Sequence, residues 1–591
     1  MREITIEQFA AAHQDRAAFI LDVREGPEYL QGHVPGAVLI PMSELTSRLG
    51  EVPKDLPVHV ICRSGNRSAS MASFLERAGV DAYSVAGGTD AWMRAGRPVV
   101  TGREPGSPDG SGRSADASRP AGATERQVQT SRPAPGAAAM ATILPVETPS
   151  LGDRSYLVHD GEVGFVVDPQ RDIDRLLDLA GSAGVRITHV FETHIHNDYI
   201  TGGLALARAT GAAYHVNADD RVSFEHQAVR DGDVVEVSAS LRVRVVHTPG
   251  HTFTHLSYVL EGPSPAVFSG GSLLFGSTGR PDLLGPEHTD ILARHQHASA
   301  HRLASQLSDD TQVMPTHGFG SFCSATQSSA TSSTIGQERR VNPALTTDEE
   351  AYVARIIAEL DAFPAYYAHM GPANAGGPSV ADLSPPSLVD KDELRKRLEA
   401  GEWLVDLRHR TAFAAGHAPG TLNFGIDGQF ATYLGWIIPW GTPVTLLGER
   451  QEQVAEAQRE MVRIGIDHPA AAATGTPEDW TDKPLGSFER ATFADLVQVR
   501  HHRSVNVLDV RRRHEFEESH IEGALNVPIH EILRRIDEVP AGEVWVHCGG
   551  GYRASIVASI LAAHGHPVVA VDDSFGGHAA SSGLPLVGAD A

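Results

Sequence analysis

Thr193-His194-Ile195-His196-Asn197-Asp198 is the stretch on which the reading of this chain turns. It closes the apolar run Ile187-Thr188-His189-Val190-Phe191, which has the composition of a strand, so its side chains meet at the edge of a sheet. Neutral imidazoles at close spacing, presented by separate loops, are what a transition metal requires. A His-x-His pair alone says little in a chain with 30 histidines. Here it is joined by Asp168 after the strand-like Gly164-Phe165-Val166-Val167, by Thr248-Pro249-Gly250-His251-Thr252, and by Pro315-Thr316-His317-Gly318. His194, His196 and His251 are the expected metal ligands, with Asp198 and His317 as further candidates. The competing reading is a set of solvated loop histidines. A strand over 241–246 and helices over 173–183 and 348–363 complete the expectation for this region.

Outside residues 140–380 the chain repeats itself. Asp22-Val23-Arg24 is followed, eleven residues after the aspartate, by His33 of Gly-His-Val-Pro-Gly-Ala. Asp406-Leu407-Arg408 has His417 at the same offset, and Asp509-Val510-Arg511 has His520. Three copies of one small α/β domain are expected, at 1–100, 381–485 and 486–591, each alternating apolar strands with helical patterns. Strands are expected at 19–23, 58–61 and 544–546, and a helix over 68–78. Residues 101–139 are dense in Gly, Pro, Ser, Ala and Arg, lack apolar periodicity, and read as a flexible linker.

The first and last copies each carry a cysteine loop closed by arginine, Cys62-Arg-Ser-Gly-Asn-Arg67 and Cys548-Gly-Gly-Gly-Tyr-Arg553. A tight loop between a strand and a helix can aim backbone N–H groups at a sulfur and stabilise the thiolate, while the arginine anchors anionic oxygens. Cys62, Arg67, Cys548 and Arg553 are therefore candidate catalytic residues. From Asp22 to Cys62 is 40 residues and from Asp509 to Cys548 is 39; the same step from Asp406 lands near Leu446, with no cysteine in reach. The middle copy has no nucleophile. Cys323, six residues after His317, is read either as a small buried residue or as a catalytic thiol near the metal.

A chain of 591 residues suggests about four domains. A net charge of -25 without a basic block repels phosphate backbones and excludes a nucleic-acid partner. No uncharged apolar run long enough to span a membrane is present, and the first ten residues carry charge, unlike a signal peptide. Three cysteines cannot frame a disulfide scaffold. The expectation is a cytoplasmic protein with no membrane partner; a homo-oligomer is left open.

Asp22-Val-Arg-Glu, Gly32-His-Val-Pro-Gly-Ala, Cys62 to Arg67 and Gly87-Gly-Thr-Asp-Ala-Trp92 together resemble a rhodanese domain, and so do Asp509-Val-Arg-Arg and Cys548 to Arg553. The resemblance implies sulfane sulfur carried as a cysteine persulfide, with Asp-x-Arg bracing the fold and Trp92 in the core. Glu192-Thr-His-Ile-His, Thr248-Pro-Gly-His-Thr and Gly279-Arg-Pro-Asp-Leu resemble the metallo-β-lactamase fold, an αββα sandwich, and within it the persulfide dioxygenase branch related to hydroxyacylglutathione hydrolase. The whole chain is similar to bacterial fusions of a persulfide dioxygenase with two rhodanese domains, here with an additional N-terminal one. The implied fold is a metallo-β-lactamase sandwich plus three α/β rhodanese-like domains, each a parallel sheet flanked by helices. The implied activity is oxidation of a glutathione-type persulfide to sulfite by O2, with sulfane sulfur passed through rhodanese cysteines to thiosulfate. Small persulfides, thiols and sulfite are the implied partners, and one Fe(II) per chain the cofactor. Zinc is the alternative cofactor, in a hydroxyacylglutathione-hydrolase-like thioesterase, and a metal-free scaffold with sulfurtransferase activity alone is a second alternative. Two departures bear on the metal: Tyr199 stands where relatives often have histidine, and Gly271 where they place a metal-binding aspartate. The first favours a single metal; the second leaves Asp198, Ser272 or water to replace the carboxylate.

Overall fold

The computed structural model describes residues 2–100, except 15–17, 25–28, 30–31, 43–44, 46–47, 55, 64–65 and 96, and residues 141–588, except 326–329. The expected linker 101–139 lies outside the described residues. Two compact units are present, Met1–Arg132 and Pro133–Ala591.

The first unit is a parallel sheet in the order Glu3–Ile4, Ala82–Val85, Val58–Ile61, Phe19–Asp22, Val38–Leu39. Val58–Ile61 is buried at every position, as a parallel strand covered on both faces must be. The expected helix over 68–78 spans Asn66–Arg77. Trp92 is core, as expected, with its ring edge-on to Phe9 and His13.

The second unit holds the sandwich and two further parallel sheets. Five adjacent strands of the first six-stranded layer are Thr142–Thr148, Asp153–His159, Val163–Val167, Arg186–Phe191 and Ala213–Asn217. The second layer runs through Arg242–His247, Leu256–Glu261, Ala266–Gly270 and Gln312–Pro315. Tyr156, Val158, Phe165 and Phe191 meet Val243, Val245, Tyr258 and Phe268 between the layers. Helices Asp174–Ala183 and Gly203–Thr210 cover one outer face, and Thr289–Gln306 the other. The expected helix over 348–363 is shorter, Glu349–Ala358, started by the Asp348 carboxylate accepting from Ala351 N.

The middle sheet runs Leu422–Asn423, Trp403–Asp406, Val444–Gly448, Ala471–Thr474. The last runs Glu489–Ala491, Val568–Val571, Val544–His547, Asn506–Asp509, Leu525–Asn526. One brace recurs in all three small domains. The Arg24, Arg408 and Arg511 guanidinium Nη2 donates to Oδ2 of Asp22, Asp406 and Asp509 at 2.7, 2.6 and 2.6 Å, and to the carbonyl of Gly32, Gly416 and Ser519. Each repeat histidine stacks on the aromatic ring four residues before it, Tyr29, Phe413 or Phe516, with centroids 3.5, 4.1 and 3.7 Å apart. The carboxylates are fully buried, a position that only such pairing makes tolerable.

Strand register fixes the nucleophile's place. Asp22 pairs with Ile61 and Asp509 with His547, each one residue before the cysteine. Asp406 pairs with Leu447, so Gly448 holds the vacated position, 42 residues on; the expectation of Leu446 is corrected because this connection is two residues longer than in the first domain.

The middle domain is riveted to the sandwich. Asp172, fully buried, accepts from Arg463 at 2.6 Å and Arg175 at 2.7 Å, with Arg459 at 3.5 Å; Arg171 reaches Asp467 at 2.9 Å. Among the described residues no helix is long and apolar enough to cross a membrane.

Candidate metal centre and thiolate loops

Loops after four strands deliver the cluster. Asp168 follows Val163–Val167 with φ of 50°, a left-handed conformation that aspartate tolerates better than most side chains. His194, His196 and Asp198 follow Arg186–Phe191, His251 follows Arg242–His247, and His317 follows Gln312–Pro315. All are at most 2% exposed, so the reading of solvated loop histidines fails.

His194, His196 and His317 offer ligand atoms within 4.8 Å of one another, and so do His251, His317 and Cys323, and Asp153, Asp198 and His317. His317, a secondary candidate from sequence, is common to these three; a fourth set, Asp168, Glu192 and His196, lacks it. Ring centroids lie 4.1 Å apart for His194 and His196, 4.8 Å for His194 and His251, and 5.3 Å for His251 and His317. His194 and His196 group with His317, and His251 groups with His317 and Cys323, so His317 links the expected ligands in place of a single His194–His196–His251 set.

Each ring is oriented by its far side. His251 Nδ1 is 2.9 Å from Arg280 O, and its buried Nε2 has no hydrogen-bond partner. Burial, with His317 nearby, drives His251 down to about 3, so the ring is neutral. His194 is likewise pushed well below its usual value by burial and then by the neighbouring histidines. His196 faces the other way electrostatically. Burial opposes its charge, but Asp168 at 3.3 Å and Glu192 at 3.2 Å from Nε2 raise it to about 9. Its Nδ1 is buried without a partner, 4.0 Å from Asp198 Oδ1. His317 Nδ1 lies 2.9 Å from Asp153 Oδ1 and 3.2 Å from Asp198 Oδ2. Burial and the Asp198 charge lift Asp153 to about 7.

These donors fit a metal. His251 Nε2 and His196 Nδ1 are buried without hydrogen-bond partners, and each residue belongs to a cluster of possible ligands that includes His317. The metallo-β-lactamase fold with this His/Asp cluster implies a bound metal. Gly271 supplies no carboxylate, and the His251 ring has taken its room: a Cβ at 271 would lie 2.6 Å from His251 Cγ and 3.0 Å from Nε2. Tyr199 is fully buried with its hydroxyl 3.0 Å from His196 Nε2, where it supports a ligand.

Sequence reading missed Asp153, Glu192 and Asn374. Asp153 meets a histidine 164 positions away, so no local pattern announces it. Asn374 clamps the metal loop: its Nδ2 donates to His196 O and Tyr199 O, and its Oδ1 accepts from Thr201 N. The loop is also held from the middle domain, where Arg463 O accepts from Ile200 N at 2.7 Å.

A backbone N–H reaches each loop cysteine's sulfur. Gly551 N donates to Cys548 Sγ at 3.1 Å, with Gly551 at φ of 90°, and Ser68 N donates to Cys62 Sγ at 3.3 Å. Both cysteines are buried, 1% and 2% exposed. The Arg67 side chain lies outside the described residues. Arg553, expected to face anionic substrate, instead grips Glu515 with two bonds of 2.6 and 2.8 Å. Burial opposes the Glu515 charge, yet Arg553 pulls it down to about 2. The middle domain roofs this loop: Tyr552 donates to Gly425 O at 2.7 Å, and the Tyr433 ring packs 6.0 Å from Tyr552.

The Rhodanese-like domain family matches residues 5–95 and 492–580, and the Metallo-beta-lactamase superfamily matches 153–317. A hydroxyacylglutathione hydrolase of Pseudomonas entomophila is 33% identical over 205 residues, 31% of this chain and 77% of that protein. One from Polaromonas is 34% identical over 169 residues, 28% of this chain and 62% of its own length. A solved metallo-beta-lactamase from Staphylococcus aureus is similar at 26% identity and TM-score 0.51, covering 57% of this chain and 99% of its own. The chain therefore belongs to the metallo-beta-lactamase superfamily and carries rhodanese-like domains on either side of its sandwich.

Proposed function

We propose that the sandwich oxidises a small glutathione-type persulfide and that the rhodanese-like domains carry the sulfane sulfur. The overall step is RSSH + O2 + H2O giving RSH, sulfite and two protons. Sulfite then takes the outer sulfur of a Cys548 persulfide, leaving the thiolate of Cys548 and releasing thiosulfate. The observation that carries this reading is Gly271: it supplies no carboxylate to bridge two metals, and a side chain there would meet the His251 ring, which disfavours two-metal thioester hydrolysis. Iron is the cofactor that suits the reaction, since Fe(II) supplies the one-electron steps that dioxygen demands.

His194, His196, His251 and His317 would hold it. Asp168 and Glu192 fix the His196 ring from behind, Asp153 fixes His317, and Arg280 O fixes His251. At the other site Gly551 N stabilises the sulfur of Cys548, and the Arg553 guanidinium, which feels the sulfur, is held in place by Glu515. Cys548 is 2% exposed, and its loop is packed against Tyr433 and Gly425 of the middle domain through Tyr552. Cys62 would take sulfur from a diffusible donor.

Oxygen uptake by anaerobically iron-loaded full-length protein given glutathione persulfide is the test. Uptake with one sulfite per O2 supports the reading; no uptake with iron bound stoichiometrically overturns it. The names of the curated relatives favour one rival, a zinc thioesterase. Turnover of hydroxyacylglutathione by the zinc-loaded chain would replace the first reading with that one.

A further inference from the structure

Cys323 is one of three cysteines and has no thiolate loop of its own, yet it is fully buried and its sulfur lies within 4.8 Å of ligand nitrogens of His251 and His317. A short backbone ladder puts it there. Arg280 N donates to Cys323 O at 2.8 Å, Ala325 N to Thr278 O at 3.0 Å, and Gly279 bridges Ser324 in antiparallel fashion. The same Arg280 accepts from His251 Nδ1 through its carbonyl, so one segment fixes both the ring and the thiol. That bond leaves Nε2, buried and unpartnered, as the ligand atom of His251. Gly279 N in turn donates to Gly271 O at 2.8 Å, which ties the ladder to the position that lacks a carboxylate.

We infer that Cys323 is the anionic metal ligand of this chain, its thiolate completing a His251–His317–Cys323 set where Gly271 supplies nothing. Metal binding replaces the S–H bond with a metal–sulfur bond and releases one proton. Imidazole ligands carry no charge to offset a divalent ion; a thiolate adds one at the position the ladder fixes, on the side of His317 that also faces the buried Asp153 and Asp198 carboxylates. This inference rests on the metal centre proposed above and changes the part played by Cys323 from catalytic thiol to ligand.

The test uses the full chain carrying Cys62→Ser and Cys548→Ser, in which Cys323 is the only thiol. Loaded anaerobically with Co(II), it should bind one equivalent and show a thiolate-to-cobalt charge-transfer band in the near ultraviolet. Adding Cys323→Ser should abolish the band and weaken cobalt binding by about 10–100-fold. X-ray absorption of the zinc-loaded double variant checks the same point without touching Cys323, and should show one sulfur neighbour at about 2.3 Å. Cobalt bound stoichiometrically with no band and no sulfur neighbour, or a band that survives Cys323→Ser, overturns the inference. Neither readout needs turnover. A chain with the band but no oxygen uptake loses the proposed activity and keeps the ligand; uptake without a sulfur neighbour does the reverse.

Discussion

Replacing Asn374 with alanine asks whether the metal loop is shaped from outside itself. The amide is 1% exposed and holds the loop at three points, donating to His196 O at 2.9 Å and Tyr199 O at 2.8 Å and accepting from Thr201 N at 2.9 Å. Alanine leaves two carbonyls and one N–H buried without partners. Each such group costs about 1–3 kcal/mol, and with some relaxation the total should be about 3–5 kcal/mol. The folded chain can recover part of this only by letting residues 194–201 move, which takes His194 and His196 off their aim. Loss of a group that orients ligands typically costs about 10–100-fold in metal affinity. Competition of the full-length protein against a chelator for Co(II) measures it, with near-ultraviolet circular dichroism to follow packing. Asn374→Asp keeps the acceptor for Thr201 N but sets a carboxylate against two carbonyls, and should be at least as harmful. Unchanged cobalt affinity in Asn374→Ala would refute the reasoning.

Gly271→Asp should lower metal affinity although it restores the superfamily's carboxylate, because the new side chain must displace the His251 ring; tighter binding in a chelator titration would contradict the account. Glu515→Gln should loosen Arg553 and slow sulfur transfer to sulfite about tenfold, equivalent to roughly 1.4 kcal/mol, as read by thiosulfate formation from a preloaded Cys548 persulfide. Because the Glu515 pKa is depressed on folding to about 2, its contribution is present above the usual carboxylate range near 4.5 and is lost as pH falls toward 2. It amounts to about 3 kcal/mol at most, so acid unfolding of the last domain should become less steep in the Gln variant. Cys548→Ser should suppress thiosulfate while sulfite formation persists; thiosulfate at the wild-type rate would place the transfer elsewhere.

The three-fold brace was legible because Asp, Arg and His recur at fixed offsets within one turn and its neighbouring strand. The His-x-His motif was legible for the same reason, its members lying at the end of one strand. Pairings across long separations were not. Nothing near Glu515 marks it as the partner of Arg553, 38 residues later, and nothing near Asn374 marks it as the clamp on His196, 178 residues earlier. Leu446 was named for a position that Gly448 holds, since spacing alone cannot register two extra residues in a connection. Cys323 was ambiguous because its placement depends on a backbone ladder to residues 278–280, which carries no side-chain signature.

Arg463 lends its carbonyl to Ile200, two residues beyond Asp198, while its guanidinium grips Asp172. A domain with glycine in place of its nucleophile has thus become the mould in which its neighbour's metal loop sets. Substitutions around Gly448 should be borne easily, whereas those on the face bearing Arg459, Arg463 and Asp467 should be felt at the histidines. Trimming the chain to its cysteine loops and its histidine cluster would therefore discard a part that bears no ligand and yet holds the ligands' loop in shape.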